Sequence, residues 1–347
     1  MITRIEIDGF KSFMDFELVL EPFTVLAGPN NSGKSNLLEA IVLLRDLVLS
    51  LDERPLVQRE RGTGVELFHR ADDGAFVPRF ELKADVEFSG GSDSDLITQV
   101  SYRDNGPARR GFSLDSGVIP DEPRRELLRA WTALVIDPAR LRGGASLDDD
   151  LPLATLGTNL AAVIGRISEK AALPEFVLDA AFVIGDLTDV QPIKDERRNV
   201  WDFDLIMKGG RRFTPSLVSD GTLRVLALLA ALHDPDYRGV VLVEELENGL
   251  HPQYIERLCE RIAQRVSADN GRQVIATTHS QLVVANMLDR FPRSVVFLDQ
   301  VFGPADIEGE RRAAHWTRAR RVESEGQRGT YVPPIELRRY LSTGGER

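Results

Sequence analysis

The N-terminal part of the chain changes from a two-residue hydrophobic repeat to a helical pattern. Apolar and polar side chains alternate over residues 1–27, which predicts short β-strands. The segment from Lys34 to Ser50 then carries apolar residues on all sides, as expected of a helix buried against a sheet. A glycine-rich turn separates the two patterns. The order strand, turn and helix predicts an α/β core.

Residues further along alternate between strand and helix patterns. Short β-type segments separated by Gly, Asp and Ser clusters over 52–121 predict an antiparallel sheet. Helix-spaced apolar residues within 122–185 predict helices over residues 126–133, 159–172 and 175–184. Beyond them, strands are expected at 201–206, 239–243, 273–278 and 294–298, and helices at 222–233 and 334–341.

These patterns predict an α/β fold with a mixed sheet core, an antiparallel β subdomain and an inserted helical lobe. We expect residues 1–121 and 201–300 to form the core, residues 122–200 the inserted lobe, and residues 301–347 a C-terminal tail. A chain of 347 residues exceeds the usual size of a single core, which agrees with a second lobe.

The turn after the strand Phe23–Ala27 matches the phosphate-binding pattern Gly-x-x-x-x-Gly-Lys-Ser/Thr. Glycines permit a tight turn in which backbone N–H groups and the helix dipole converge on phosphate oxygens. Lys34 would reach the β- and γ-phosphates, and the Ser35 hydroxyl would ligate Mg²⁺. A chance glycine-rich turn is the alternative, and the flanking strand and helix argue against it. The predicted nucleotide-binding residues are Gly28, Pro29, Asn30, Asn31, Ser32, Gly33, Lys34, Ser35 and Asn36.

Two carboxylates and a histidine follow predicted strands. The aliphatic run Val240–Val243 leads into Glu244 and Glu245, as in a strand of a parallel sheet whose carboxyl end binds ligands. Glu244 would hold Mg²⁺ together with Ser35. Glu245 would point the other way in an extended chain and act as general base toward water. His279 would reach the γ-phosphate and complete the catalytic set with Glu245 and Lys34. A surface acid pair and a structural histidine are the alternative interpretations.

The bulk composition narrows the possible functions. The formal net charge of −11 argues against unselective nucleic-acid binding. A lone cysteine, Cys259, excludes an internal disulfide and is expected to be a small buried residue. There is no apolar run of membrane-spanning length and no pattern of a signal peptide, so we expect a cytoplasmic protein that does not contact membranes.

A local basic cluster remains compatible with this acidic composition. Arginine beside an aromatic ring can pair with phosphate and stack on a base, so the cluster could form a DNA-binding groove. The alternative is a solvated basic face balanced by Glu308, Glu310, Glu323 and Glu325. The cluster surrounds His315 and Trp316 and consists of Arg311, Arg312, Arg318, Arg320 and Arg321.

Four stretches resemble motifs of the ABC-type ATPases, in the branch of the recombination and chromosome-maintenance ATPases. The chain looks most similar to the overcoming-lysogenisation-defect ATPases and to related stand-alone bacterial ATPases without a fused nuclease. The stretches are residues 5–13, the loop 28–36, the signature-like segment 217–224, and residues 244–252 followed by 277–280.

The resemblance implies a shared nucleotide site between two copies of the chain. Ser219, expected at a helix N-cap, and Gly221 would face the γ-phosphate held by the opposite subunit, since a helix start is a ready anion site. Two ATP molecules would join a head-to-tail homodimer, and hydrolysis would open it. The sequence departs from the family at Glu244, where Asp is commoner, and at Leu246, where Pro is usual. The Q-loop glutamine could be Gln58 or Gln99.

These observations lead to three hypotheses of function. The first is an ATP hydrolase whose nucleotide-dependent dimerisation drives a DNA-repair or anti-phage defence complex, with a separately encoded effector protein. The second is a slow nucleotide-gated scaffold that sequesters or releases a partner protein. The third is direct DNA binding through the basic cluster, which the net charge does not support.

Overall fold

The structure is a computed structural model that describes most of the chain, namely residues 1–50, 65–88, 92–104, 110–116, 121–267, 270–307, 309–323 and 329–342. Gln58, Glu308 and Glu325 lie outside the described residues, as does the side chain of Gln99. Strands occupy β1 Ile2–Asp8, β2 Phe16–Val19, β3 Phe23–Ala27, β4 Arg79–Phe88, β5 Ser92–Asp104, β6 Arg110–Ser116, β7 Thr132–Leu134, β8 Ala145–Ser146, β9 Leu187–Asp195, β10 Val200–Met207, β11 Arg211–Phe213, β12 Val240–Val243, β13 Gln273–Thr277, β14 Val295–Ile307, β15 Glu310–Val322 and β16 Tyr331–Val332.

The α-helices alternate with these strands along the chain. They are α1 Lys34–Ser50, α2 Glu122–Arg129, α3 Leu160–Glu169, α4 Leu173–Ile184, α5 Asp220–His233, α6 Pro252–Arg265, α7 Gln281–Arg290 and α8 Pro334–Ser342. The described chain divides into two compact units, residues 1–129 with 287–347 and residues 130–286.

The first unit contains the predicted antiparallel sheet, in the strand order β2-β1-β4-β5-β6. Alternate residues are buried in β4 and, after a register shift between Ile2 and Arg4, in β1, as a sheet with one covered face requires. A cluster of phenylalanines fixes the turn that follows β1. The Phe10 and Phe80 rings meet edge to face with centroids 5.2 Å apart, and Phe68 packs on Phe80 at 5.1 Å. This cluster holds residues 10–13 against the sheet.

The first unit also contains strands in the order β16-β15-β14-β3. The fully buried β3 pairs in parallel with the start of β14, where Ala27 lies opposite Phe297. Strand β14 continues past this level and returns as β15 in a continuous antiparallel register from Phe297–Arg320 to Ile307–Glu310. The sequence predicts only the start of β14, over 294–298. The basic cluster therefore lies on a long β-hairpin, which the hydrophobic pattern did not reveal.

The second unit combines parallel and antiparallel strands with helices. Strand β12 pairs in parallel with β13 and with β7, while β10 pairs in antiparallel fashion with β8, β9 and β11. The predicted helix over 126–133 is wrong for its last residues. Helix α2 ends at Arg129, and Thr132–Leu134 forms strand β7, because pairing with Val241–Val243 outweighs the local helical pattern.

Most other predicted helices are confirmed, with shifts of a few residues at their ends. Helix α1 has the predicted bounds, and α3, α4, α5 and α8 lie at the predicted positions. The region predicted as a helical lobe also contains strands β8 and β9. The Trp201 ring, on β10, packs so closely on α3 that a Cβ at Gly165 would lie 2.4 Å from the ring.

Candidate nucleotide-binding site

Two glycines fix the path of the predicted phosphate-binding loop in the first unit. Gly28 has φ +143°, and a Cβ there would lie 2.1 Å from the Leu298 carbonyl oxygen. Gly33 has φ +97°, and its Cβ would lie 2.2 Å from Thr317 Oγ1. Side chains are excluded at both positions, because no L-residue tolerates this combination of conformation and contact. Asn31 has φ +63°, a left-handed conformation that asparagine tolerates better than most residues.

Lys34 lies where the loop becomes helix α1. Its buried ammonium donates hydrogen bonds to the carbonyl oxygens of Gly28 at 2.8 Å and Pro29 at 2.7 Å. Leu37 N donates to the Gly33 carbonyl oxygen at 3.0 Å, which closes the first helical turn. The Ser35 hydroxyl is in an exposed residue of this turn. The loop therefore places a positive charge inside its curve at the start of a helix, which is the arrangement that binds phosphate.

Side chains distant in sequence support the loop from two directions. Thr317 Oγ1, on β15, lies 3.1 Å from the Ser32 carbonyl oxygen and 2.8 Å from Ser12 Oγ. Ser12 Oγ also accepts a hydrogen bond from Asn36 Nδ2 at 2.9 Å. Gln300 Nε2, on β14, donates to the Asn31 carbonyl oxygen at 2.8 Å. Sequence reasoning missed Thr317 and Gln300, since their contact with the loop depends on the hairpin fold.

The predicted acids follow β12 in the second unit. All four residues of β12 are buried, and the strand ends before Glu244, which is half-buried. Glu245 has φ +49° and is thus not part of an extended chain, so the predicted alternation of the two acids is wrong in its geometric basis. The Glu245 amide donates to Thr277 Oγ1 at 2.9 Å, at the end of the neighbouring strand. Such a conformation is typical of functional turns that surrounding contacts hold in place.

His279 lies beside Glu245, as expected for residues that follow neighbouring parallel strands. His279 Nε2 is 3.7 Å from Glu245 Oε1, and both side chains are partly exposed. The Glu247 carboxylate fixes the histidine loop, because it accepts hydrogen bonds from the His279 amide at 2.7 Å and from Thr278 Oγ1 at 2.8 Å. Sequence reasoning assigned no role to Glu247, although it lies in the motif 244–252. The structure thus brings together an acid, an imidazole and a carboxylate that positions them.

The signature-like segment begins helix α5. Ser219 is the N-cap, and its Oγ accepts a hydrogen bond from the Thr222 amide at 3.1 Å, which confirms the predicted cap. Gly221 is buried, and a Cβ there would lie 2.7 Å from the Gly249 carbonyl oxygen. The guanidinium of Arg142 donates to the Pro215 and Val218 carbonyl oxygens and to the Asp220 carboxylate. Arg142 therefore fixes the backbone that leads into the Ser219 cap, a role that the sequence did not indicate.

Arg224 connects the signature helix with the acidic turn. Its guanidinium donates to the Ile136 carbonyl oxygen at 2.8 Å. Burial lowers the pKa of Arg224, while the charges of Asp220, Glu245 and Asp137 oppose that shift. Since arginine remains protonated throughout the biological pH range, Arg224 keeps a positive charge near Asp220 and Glu245.

The predicted metal ligands are suited to Mg²⁺ by their chemistry. Ser35 and Glu244 offer a hydroxyl and a carboxylate, and Mg²⁺ prefers such oxygen ligands and retains several waters and phosphate oxygens. Among the residues that the structure describes, no group of three or more His, Cys, Asp or Glu side chains is arranged to hold a metal. Ser35, in the first unit, and Glu244, in the second, therefore stay predicted ligands of Mg²⁺.

Ion pairs occupy much of the predicted basic cluster. The Asp299 carboxylate pairs with Arg318 at 2.6 Å and with Arg320 at 3.0 Å, and Arg320 also pairs with Glu336 at 2.7 Å. Arg312 pairs with Asp73 and with Glu310. These pairs favour the basic face balanced by acidic residues over a DNA groove, with Asp299, Glu336 and Asp73 joining the predicted Glu310 as its partners.

Cys259 is buried on α6, as predicted. Burial raises the pKa of its thiol to about 12, which makes it unreactive. None of the helices in the described ranges combines the length and the apolar character needed to span a membrane.

Sequence comparisons find ATPase domain families over two stretches of the chain. Residues 1–76, which contain the loop, match the family described as "AAA ATPase domain". Residues 170–285 match the family described as "AAA domain, putative AbiEii toxin, Type IV TA system". Structural maintenance of chromosomes protein 1 of Arabidopsis thaliana is 33% identical over 125 residues, which are 31% of this chain and 10% of that protein. The chain thus matches about a tenth of that relative's length.

Solved structures of SMC heads share the fold. The SMC head bound to the C-winged helix domain of ScpA superposes with a TM-score of 0.56 at 15% identity, over 91% of this chain and 97% of that chain. The SMC head domain from Thermotoga maritima gives a TM-score of 0.51 at 15% identity, over 93% of this chain and 99% of that chain. A third structure is an SMC head with an extended coiled coil, bound to the C-terminal domain of ScpA derived from Pyrococcus furiosus. It gives a TM-score of 0.54 at 12% identity, over 91% of this chain and 96% of that chain. These matches confirm the predicted ABC-type P-loop fold.

Proposed function

We propose that this chain binds ATP with Mg²⁺ and hydrolyses the ATP, and that two copies associate through their nucleotides. The observation that carries the proposal is the His279–Glu245 contact of 3.7 Å at the ends of neighbouring strands, in a chain that also has the glycine loop around Lys34. A phosphate cradle together with a paired acid and imidazole matches what hydrolysis of a phosphoanhydride requires.

The loop would bind the phosphates through charge and backbone amides. In the proposed complex, Lys34 exchanges its bonds to the Gly28 and Pro29 carbonyls for the β- and γ-phosphate oxygens. Ser35 and Glu244 would hold Mg²⁺, Glu244 directly or through a water. The metal, when bound, neutralises charge on the transferred phosphoryl group. The braces from Thr317, Ser12 and Gln300 would keep the loop in its binding geometry.

Glu245 would accept the proton of the attacking water. Its carboxylate is about half exposed, which leaves it open to solvent, and its backbone is fixed by Thr277. His279 would orient Glu245 and donate a hydrogen bond to the γ-phosphate. Glu247 would hold the His279 backbone in position for this role through the hydrogen bond from the His279 amide.

Ser219 and Gly221 would contact the nucleotide of a second copy, so that ATP closes a homodimer and hydrolysis opens it. Leu217, which is 71% exposed beside this cap, supports a contact surface there. We further propose a cytoplasmic role in DNA repair or phage defence with a separate effector protein, within the overcoming-lysogenisation-defect-like group. The match to a chromosome-maintenance protein and to a family described by a toxin–antitoxin system supports this setting.

Steady-state phosphate release tests the hydrolytic role. Glu245→Gln should lower the rate by about a hundredfold or more, as expected for loss of a general base. Glu126→Gln, at an exposed position of α2, is the matched control and should behave as wild type. Equal rates for wild type and Glu245→Gln would remove the role of Glu245 and favour a nucleotide-gated scaffold that holds and releases a partner protein.

A further inference from the structure

The two faces of the β14–β15 hairpin differ in how they are covered. One face carries Ala305, Ile307 and Ala314, which form a buried cluster with Ala71. Trp316 belongs to the same face, where its ring would lie 2.9 Å from a Cβ at Gly303. This face is packed against other residues of the first unit.

The opposite face carries the contacts to the phosphate-binding loop. Gln300 and Thr317 are register partners across the hairpin, and both contact the loop, at Asn31 and Ser32. The next partners on the same face are Phe302 and His315, because side chains two residues apart along a strand share a face. They lie only about 7 Å further along the strands.

Phe302 and His315 form an exposed aromatic pair. Their ring centroids are 4.8 Å apart with an interplanar angle of 38°. Phe302 is 63% exposed, although it is a large apolar residue. His315 Nδ1 lies 3.1 Å from an Asp72 carboxylate oxygen, which fixes the imidazole orientation. The pair is therefore held in place and still open on one side.

The direction of the strands places this pair at the ligand-binding edge of the sheet. Strand β3 ends at Ala27, opposite Phe297, and the phosphate-binding loop follows directly. Strand β14 runs parallel to β3 and continues beyond that level through Gln300 to Phe302. Ligands of parallel sheets bind outside the carboxyl ends of the strands, and the aromatic pair extends into that region beside the loop.

We propose that Phe302 and His315 form a stacking platform for the base of the nucleotide whose phosphates the loop binds. This inference rests on the proposed nucleotide binding and adds the part of the site that holds the base. An aromatic ring offers every base a stacking surface, and the adjacent Asp72 carboxylate can accept a hydrogen bond from an amino group on a purine. The platform thus selects a nucleoside triphosphate over a phosphate chain without a base.

Calorimetric titration with Mg·ATP and with inorganic tripolyphosphate tests the platform. Phe302→Ala should weaken ATP binding by about tenfold, within the range expected for loss of stacking, and leave tripolyphosphate binding unchanged. Phe302→Tyr, which keeps the ring, should bind ATP as wild type does. Ile335→Ala removes an exposed side chain on α8 and serves as the matched control.

The other outcomes separate the two proposals. Unchanged ATP binding by Phe302→Ala, or an equal loss for both ligands, would overturn the platform while leaving the nucleotide site intact. A loss of single-stranded DNA binding in Phe302→Ala with full ATP affinity would assign the pair to nucleic acid instead. Failure of the wild-type protein to bind either phosphate ligand would overturn the nucleotide site and the platform together.

Discussion

Removal of the Thr317 hydroxyl should loosen the phosphate-binding loop without changing the shape of the core. Thr317 is buried, and its Oγ1 lies within hydrogen-bond distance of Ser12 Oγ and the Ser32 carbonyl oxygen. Valine has nearly the same volume as threonine. Thr317→Val therefore mainly removes the hydrogen bonds to Ser12 Oγ and to the Ser32 carbonyl oxygen. An unmade buried hydrogen bond costs about 1–3 kcal/mol, and we expect the free energy of local opening of the loop to fall by that amount.

Thr98 provides a matched control in the same unit. It is fully buried on β5, and its hydroxyl has no hydrogen-bond partner among the described residues. Thr98→Val therefore removes an unsatisfied polar group, which should be neutral or should raise the free energy of unfolding.

Hydrogen exchange measured on peptides that span residues 28–37 distinguishes the two variants. In Thr317→Val these amides should exchange roughly 5- to 150-fold faster, the equivalent of the expected free-energy loss. In Thr98→Val they should exchange at the wild-type rate. Equal exchange in the wild type and Thr317→Val, or faster exchange in Thr98→Val alone, would refute the argument that the hairpin braces the loop.

Three further predictions concern the second unit. Burial would raise the pKa of Asp179, but hydrogen bonds from His233 and Arg265 outweigh it and hold the pKa below its usual value. The resulting stability is present above the unfolded pKa of about 4 and is lost as the pH falls through the folded pKa, so Asp179→Asn should flatten acid denaturation curves below pH ~4. Arg142→Gln should weaken ATP-dependent association measured by light scattering, while ATP binding by the single chain stays unchanged. Cys259 should react with a thiol reagent at pH ~8 only after denaturation, because its thiol pKa is about 12 in the folded chain.

Local sequence patterns predicted the elements whose signals lie within a few consecutive residues. The loop 28–35 and the cap at Ser219 follow from side-chain chemistry that acts within one turn. The aliphatic run of β12 likewise predicted a buried strand that ends just before Glu244 and Glu245. Helix α1 was predicted with its bounds because apolar residues recur on all its sides along its length.

The elements that sequence reasoning missed depend on contacts between distant segments. Strand β15 is rich in arginine and resembles a solvated face, yet Thr317 in its middle lies 3.1 Å from the loop carbonyl of Ser32. Strand β7 has a helical pattern and becomes a strand only by pairing with β12. The left-handed backbone at Glu245 depends on its bond to Thr277, which a periodic pattern cannot reveal.

The solution mass of the Glu245→Gln variant with ATP and Mg²⁺, measured by light scattering, tests the central proposal most directly. We expect a dimer with ATP and Mg²⁺, a single chain without nucleotide, and a single chain for Glu245→Gln combined with Ser219→Arg, which places a bulky cation at the helix cap. A Glu245→Gln variant that binds ATP but remains a single chain would contradict the shared nucleotide site.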